Sequence, residues 1–249
     1  MIGASSINWR IQHNLLHHGF TKVHGADTDI DAPPLLRFTP HTKRMKIHRF
    51  QVFYAWFFYG LMTMNWVLVN DIGQIFTFSK QGHLEKFNTN LKKELPLLIA
   101  SKILYLGYTF VLPLVLTDFA FWQVLIGFAV VHFIAGFTLS VIFQTAHVVS
   151  EIDFPMPNKD RFDCTWAELQ LKTTSTFAMK NKVLTWLIGG LNYQIEHHLF
   201  PEVSHVHYSK ISKIVQETAL EYGLPYYDHG SFWKAIRSHV SWLKQLGKA

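Results

Sequence analysis

Two long apolar runs, separated by only four residues, constrain the fold of this chain more than any other feature. Leu97–Leu116 holds 20 residues with one charge, Lys102, and Phe121–Phe143 holds 23 residues with none. About 20 apolar residues are enough for a helix to cross a bilayer. The two runs therefore predict a transmembrane helical hairpin. Because a segment that crosses lipid must satisfy its own backbone hydrogen bonds, we expect an all-α membrane protein.

The charges around the hairpin predict its orientation. Its tip, residues 117–120, contains Asp118 but neither Lys nor Arg. Basic residues lie at the opposite ends of the two runs: Lys92, Lys93, Lys159 and Arg161. Because cytoplasmic loops carry an excess of Lys and Arg, we expect those ends to face the cytoplasm.

The overall composition agrees with a membrane protein. Hydrophobic residues make up 49% of the 249 residues, and charged residues only 16%, against about 25% in an ordinary soluble domain. The mean hydropathy is barely above zero, so much of the chain should lie outside lipid. The net charge of +6 comes from basic residues that flank apolar runs, so we expect no nucleic-acid partner. A single cysteine, Cys164, excludes an internal disulfide and a cysteine-built metal site.

A first histidine cluster lies near the N-terminus. His13 and His17 stand four residues apart on one face of a predicted helix, and His18 lies at the edge of that face. The acidic residues that follow, Asp27, Asp29 and Asp31, predict a polar connector that can place a carboxylate beside a metal ligand.

A second cluster lies in the stretch Gln194-Ile195-Glu196-His197-His198-Leu199-Phe200-Pro201. On a helix, Gln194, His197 and His198 share one face. Gln144 and His147 share one face of a different helix, at the point where the second apolar run should leave the hydrocarbon. Neutral imidazole is a common ligand of transition metals. The candidate metal ligands are therefore His13, His17, His18, His147, His197 and His198, with Gln194 as a weak ligand or a residue that orients one.

The number and type of these side chains favour iron. Six histidines exceed the three or four protein ligands of a zinc site, which indicates two metal ions. Imidazole ligation without sulfur suits redox-active iron that activates O2. His132 lies in the middle of the second run, too deep to join this site, and we interpret it as packing or lining a cavity.

A third apolar run, residues 50–69, follows a basic stretch. If this run crossed the bilayer, three crossings would separate the two histidine clusters and leave them on opposite faces. Its tyrosines and tryptophans favour the membrane interface. We therefore expect it to be interfacial or re-entrant, and only 97–116 and 121–143 to span.

The two histidine clusters resemble motifs of the membrane fatty acid desaturases. His13-Asn14-x-x-His17-His18, followed by Gly25-x-Asp27-x-Asp29, is similar to the second histidine box of that family. Gln194 to Pro201 is similar to its third box. Gln in the first position of that box, together with Gln144-x-x-His147, is typical of the front-end and linoleoyl-CoA desaturase-like branch.

The resemblance implies a helical membrane fold with a cytoplasmic cap that holds two irons. It also implies oxygen-dependent desaturation of a fatty acyl chain and an external electron donor, either a cytochrome-b-type haem protein or a ferredoxin-like protein. The family's first box, of the type His-x-x-x-His, is not among residues 1–249. We therefore expect an N-terminally incomplete desaturase domain, or a start codon placed too late, and no activity from these residues alone.

Two other functions remain open from the sequence. One is a membrane di-iron hydroxylase acting on the same fatty acyl chains. The other is a non-catalytic membrane protein or fragment that binds metal.

Overall fold

The computed structural model describes residues 3–30, 34–156 and 162–248. Asp31, Lys159 and Arg161, which the sequence arguments used, lie outside these ranges. Within them the protein is mostly helical, as predicted. The α-helices are α1 (Ser6–Trp9), α2 (Gln51–Asn65), α3 (Asp71–Lys80), α4 (Leu91–Leu106), α5 (Leu112–Leu116), α6 (Phe121–His147), α7 (Trp166–Thr173), α8 (Lys182–Leu187), α9 (Gln194–Leu199), α10 (Tyr208–Glu221) and α11 (Phe232–Lys248).

Tighter and wider helical segments extend or join several of these helices. The 3-10 segments are Lys46–Phe50, Glu85–Phe87 and His205–His207, and the π-helical segments are Arg10–His17, Trp66–Asn70 and Gly107–Val111. Two short strands, β1 (Ser175–Thr176) and β2 (Tyr227–Asp228), form a parallel pair in which Ser175 is opposite Tyr227.

Three continuous helices in the described part of the chain are long and apolar enough to cross a membrane: Lys46–Lys80, Leu91–Leu116 and Phe121–His147. The second and third contain the two runs that predicted the hairpin. The first contains residues 50–69, whose interfacial position stays a prediction.

The chain divides into two compact units. The first unit consists of Met1–Leu15 and Trp56–Ser140, and the second of Leu16–Ala55 and Val141–Ala249.

Close contact between α2 and α6 organises the first unit. A Cβ atom added to Gly136 would lie 2.7 Å from the carbonyl oxygen of Gly60, so the two backbones approach as closely as small residues permit. Val67, Tyr105 and Phe128 form a buried apolar cluster. The prediction for His132 fits its position, because it lines a cavity of about 560 Å³ and its Nε2 lies 2.7 Å from the Tyr105 hydroxyl.

The second unit has two buried apolar clusters. One joins the end of α6 to α11 through Ile142, Ala146 and Ala235. The other joins α7, α9 and α10 through Leu171, Ile195 and Val215. Apolar packing thus holds α6 and α9, the helices that carry His147, His197 and His198, in place.

Candidate metal centre

Three histidines of the second unit converge in the structure. One ring nitrogen from each of His17, His147 and His198 lies within 4.8 Å of the others. The Nε2 atoms of His147 and His198 are 3.2 Å apart. All three side chains are buried, and His198 is completely inaccessible to solvent. Three buried imidazoles that direct nitrogens to one point form a geometry suited to a transition-metal ion.

The second nitrogen of two of these rings is fixed by an oxygen acceptor. His17 Nδ1 lies 3.1 Å from both carboxylate oxygens of Asp27. His198 Nδ1 lies 2.9 Å from Oε1 of Gln170. Because carboxylate and amide oxygens only accept, Nδ1 donates in both cases and Nε2 keeps its lone pair for a metal. The predicted carboxylate beside a ligand is therefore Asp27.

Asp27 is held in place by the backbone of its own connector. Its Oδ2 accepts a hydrogen bond from Lys22 N at 2.8 Å, and its Oδ1 accepts one from Asp29 N at 3.0 Å. Lys22 adopts a left-handed backbone conformation with φ of 64°, which turns the chain sharply after the first histidine cluster. The turn brings a residue ten positions after His17 back to its imidazole.

Electrostatics couple His17 to this connector. Burial lowers the pKa of His17, but Asp27 and Asp29 raise it further, so the net pKa lies above the ordinary value for histidine. Burial also acts to raise the pKa of Asp27, but the charges of His17 and Lys22 and the hydrogen bonds from both residues outweigh burial, so the pKa of Asp27 is lowered. Asp27 is therefore a carboxylate at neutral pH.

His18 and His197 lie next to the three converging histidines. Their ring centroids are 4.7 Å apart, and His18 stacks on His198 with centroids 4.4 Å apart. Burial, reinforced by the charges of neighbouring histidines, lowers the pKa of His18 to about 3 and that of His197 to about 4. Both imidazoles are therefore neutral at pH 7, which is the state that binds metals.

The local sequence explains how α9 presents its histidines. Tyr193 and Phe200 flank a helix of only six residues, and Pro201 prevents its continuation. Asn192, just before the helix, is anchored because its carbonyl oxygen accepts a hydrogen bond from Phe177 N at 3.0 Å. A short helix fixed at its start and stopped by proline holds His197 and His198 in one orientation.

The helix that carries the first cluster differs from the sequence prediction in its geometry. Arg10–His17 is π-helical, not α-helical. The wider turn, with hydrogen bonds from residue i to i+5, allows residues four and five positions apart to share a face. His18 directly follows this segment and lies beside the converging histidines, where its ring stacks on that of His198.

Six of the seven predicted ligands lie in the second unit. Gln194 Oε1 is 3.3 Å from His147 Nε2, and Gln194 Nε2 is buried with no hydrogen-bond partner among the described residues. His13 belongs to the first unit, where its ring stacks on Trp9 with centroids 4.3 Å apart. Its role as a ligand stays a prediction.

Sequence reasoning missed two polar residues beside the histidines. Gln170 belongs to α7 and no spacing pattern connects it to His198, 28 positions later. Glu196 is buried; its Oε1 accepts a hydrogen bond of 2.7 Å from the Tyr226 hydroxyl, and burial raises the pKa of Glu196 to about 7. Glu196 directly precedes His197 and His198 in the sequence, but no spacing predicts that it is buried.

Comparison with known proteins identifies the family. The model of the family described as fatty acid desaturase matches residues 1–230. The chain belongs to the fatty acid desaturase family. The resemblance inferred from the two histidine motifs is thereby confirmed, and the converging histidines of this desaturase-family chain come from those two motifs and from the end of α6.

Curated relatives include desaturases named for lipid-linked substrates. The chain is 37% identical over its whole length to sn-1 linoleoyl-lipid 6-desaturase of Synechocystis sp., and covers 69% of that protein. It is 34% identical to the protein of the same name from Arthrospira platensis, covering 66% of it. It is 36% identical to acyl-lipid (8-3)-desaturase of Physcomitrium patens, covering 52% of it. The chain thus spans about half to two thirds of the length of these relatives. No solved structure matches it.

Proposed function

We propose that the chain carries the metal centre of an oxygen-dependent fatty acyl desaturase. The observation that carries this proposal is the convergence of His17, His147 and His198 within 4.8 Å of one another in a member of the desaturase family. The donor set fits iron, since it consists mainly of buried imidazoles and contains no sulfur. Two irons would be held by the seven predicted residues: His13, His17, His18, His147, Gln194, His197 and His198.

When bound, the iron pair would activate O2, which is the oxidant of the reaction. Overall, the reaction removes two hydrogens from adjacent acyl carbons, and O2 accepts them with two electrons and two protons from an external donor to leave two waters. No side-chain acid or base could attack an unactivated methylene. The reaction therefore requires a redox-active metal, and the histidines are the residues that would hold it. The electron donor is proposed to be a cytochrome-b-type haem protein or a ferredoxin-like protein.

The chain's own residues orient the ligands and exclude water. Asp27 and Gln170 accept Nδ1–H of His17 and His198 and so direct Nε2 inwards. Ile195 and Val149 are fully buried beside these segments and keep the surroundings apolar. A dry site strengthens each hydrogen bond that holds an imidazole in place.

We propose an acyl chain esterified in a membrane lipid as the substrate. Support comes from the relatives, whose names specify linoleoyl-lipid and acyl-lipid substrates, and from the three helices long and apolar enough to cross a membrane. We further propose that the metal site faces the cytoplasm, because the basic residues lie at that end of the hairpin.

The test is to express the longest reading frame that contains these residues in a host supplied with linoleate. Gas chromatography with mass spectrometry should detect a fatty acid with one additional double bond. This product should appear in the phospholipid or glycolipid fraction before it appears in other fatty acyl pools. His198→Ala should abolish the product, whereas the control His207→Ala, at an exposed position, should not. A product that gained oxygen would identify a hydroxylase, and equal activity in both variants would contradict the assigned site.

A further inference from the structure

A basic surface in the second unit is built from two segments distant in sequence. Residues 34–50 pack against α11 through backbone contacts. Arg44 Nε donates to Gly247 O at 2.9 Å, and Trp242 Nε1 donates to Phe38 O at 3.2 Å. A Cβ atom on Gly247 would lie only 2.5 Å from His48 O. The two segments therefore form one continuous surface.

Buried polar side chains fix the shape of this surface. The guanidinium group of Arg37 donates to Thr42 O at 2.8 Å, to Pro40 O at 2.8 Å and to Leu246 O at 2.7 Å. Arg37 is itself 6% exposed, so it holds the loop in place and contributes no charge to the exterior.

Every charged side chain that the two segments expose is positive. The sequence contains no Asp or Glu between residues 34 and 70 or between residues 229 and 249. On α11, the spacing of the basic residues places them along one exposed stripe of the helix. The exposed basic residues of both segments, here called the basic surface, are Lys43, Arg44, Lys46, Arg49, Lys234, Arg237, Lys244 and Lys248.

Large apolar side chains are exposed among these charges. Met45, Ile47 and Phe50 alternate with the basic residues and are 38%, 44% and 48% exposed, and Phe53 is 77% exposed. All but Met45 lie in the first turns of the helix Lys46–Lys80, which is long and apolar enough to cross a membrane. Basic residues interleaved with apolar ones are typical of segments that lie at the boundary between lipid headgroups and acyl chains.

We propose that the basic surface binds the headgroups of anionic phospholipids in the bilayer. Clusters of four to eight Lys and Arg residues beside a membrane helix attract such lipids. The exposed apolar residues continue into a helix that is long and apolar enough to cross a membrane, which favours a bilayer over a soluble acidic protein as the partner. The proposal does not depend on the chemistry at the metal centre.

Native mass spectrometry of the detergent-solubilised protein tests this directly. Wild-type protein should retain added phosphatidylglycerol in preference to phosphatidylcholine. Removing charge from the surface should weaken retention, so Lys43→Gln/Lys46→Gln and Lys234→Gln/Lys244→Gln should each retain severalfold less phosphatidylglycerol than the wild-type protein. Lys43→Arg/Lys46→Arg keeps the charges and should restore wild-type retention. The matched control is Lys210→Gln/Lys213→Gln on the exposed face of α10, which should change nothing.

Four outcomes would overturn the proposal. The first is equal retention of the two lipids by the wild-type protein. The second is an unchanged preference in both double Gln variants. The third is displacement of phosphatidylglycerol by soluble glycerol phosphate, which would indicate a phosphate site instead of a membrane surface. Binding of an acidic electron carrier that the Gln variants lose, with lipid retention unchanged, would assign the surface to a protein partner.

Discussion

A buried ion pair in the first unit allows a sharp stability prediction. Lys102 Nζ contacts the carboxylate of Asp71 and lies 2.7 Å from Gly3 O. Asp71 Oδ2 also accepts a hydrogen bond from Ser5 N at 2.8 Å. Asp71 is 2% exposed and Lys102 is 8% exposed, so each charge depends on the other for compensation.

The variant Lys102→Met should therefore be strongly destabilised. It keeps the apolar length of the side chain but leaves the Asp71 carboxylate buried without its cation, which costs about 3–5 kcal/mol. For a chain of this size, each kcal/mol lowers the melting temperature by about 2–4 °C. Thermal unfolding in detergent, followed by tryptophan fluorescence, should show a decrease of about 6–20 °C.

Two further variants make this test decisive. Lys92→Met removes an exposed lysine from the same helix and should change stability by no more than about 0.5 kcal/mol. Asp71→Asn/Lys102→Met removes both charges but keeps an acceptor for Ser5 N, so only Gly3 O loses its donor, at about 1 kcal/mol. The reasoning is refuted if Lys102→Met behaves like Lys92→Met, or if the double variant is as unstable as Lys102→Met.

Three other predictions concern the metal centre, pH and helix packing. Asp27→Asn should weaken iron binding about 10–100-fold, because the charge that supports His17 is lost; metal analysis after dialysis against a chelator measures this. Burial lowers the pKa of His239 to about 4, below its value of 6.5 in the unfolded chain. The unfolded chain therefore takes up this proton first, and stability should fall by about 3 kcal/mol as the pH decreases from about 6.5 to about 4; His239→Asn should flatten that part of the melting-temperature profile. Gly136→Val should destabilise the protein by about 1–3 kcal/mol through overpacking against α2, whereas Gly127→Val, where a Cβ atom meets nothing within 4 Å, should cost less in the same melting assay.

The histidine motifs could be recognised from the sequence because their spacing is local. His197 and His198 share a helical face with Gln194 independently of the tertiary structure. His147 lies at the end of a long apolar run. These short-range patterns were sufficient to predict the family and the helical class. The distances among the histidines follow from tertiary packing, which no spacing encodes.

The partners of the ligands and of the buried charges were harder to predict. Gln170 reaches His198 only because α7 packs against α9 in one apolar cluster. Lys102 was visible as a single charge in an apolar run, but Asp71 lies in a different helix, 31 positions away. The π-helical geometry of Arg10–His17 could not be predicted either, because the residues of this segment are equally compatible with an α-helix.

Iron analysis of the purified protein tests the central claim most directly. The longest reading frame containing these residues should bind two irons per chain, measured by inductively coupled plasma mass spectrometry and by Mössbauer spectroscopy. His17→Ala and His198→Ala should lose iron, while His207→Ala should retain it. Zinc in place of iron, or unchanged iron in both ligand variants, would contradict the account.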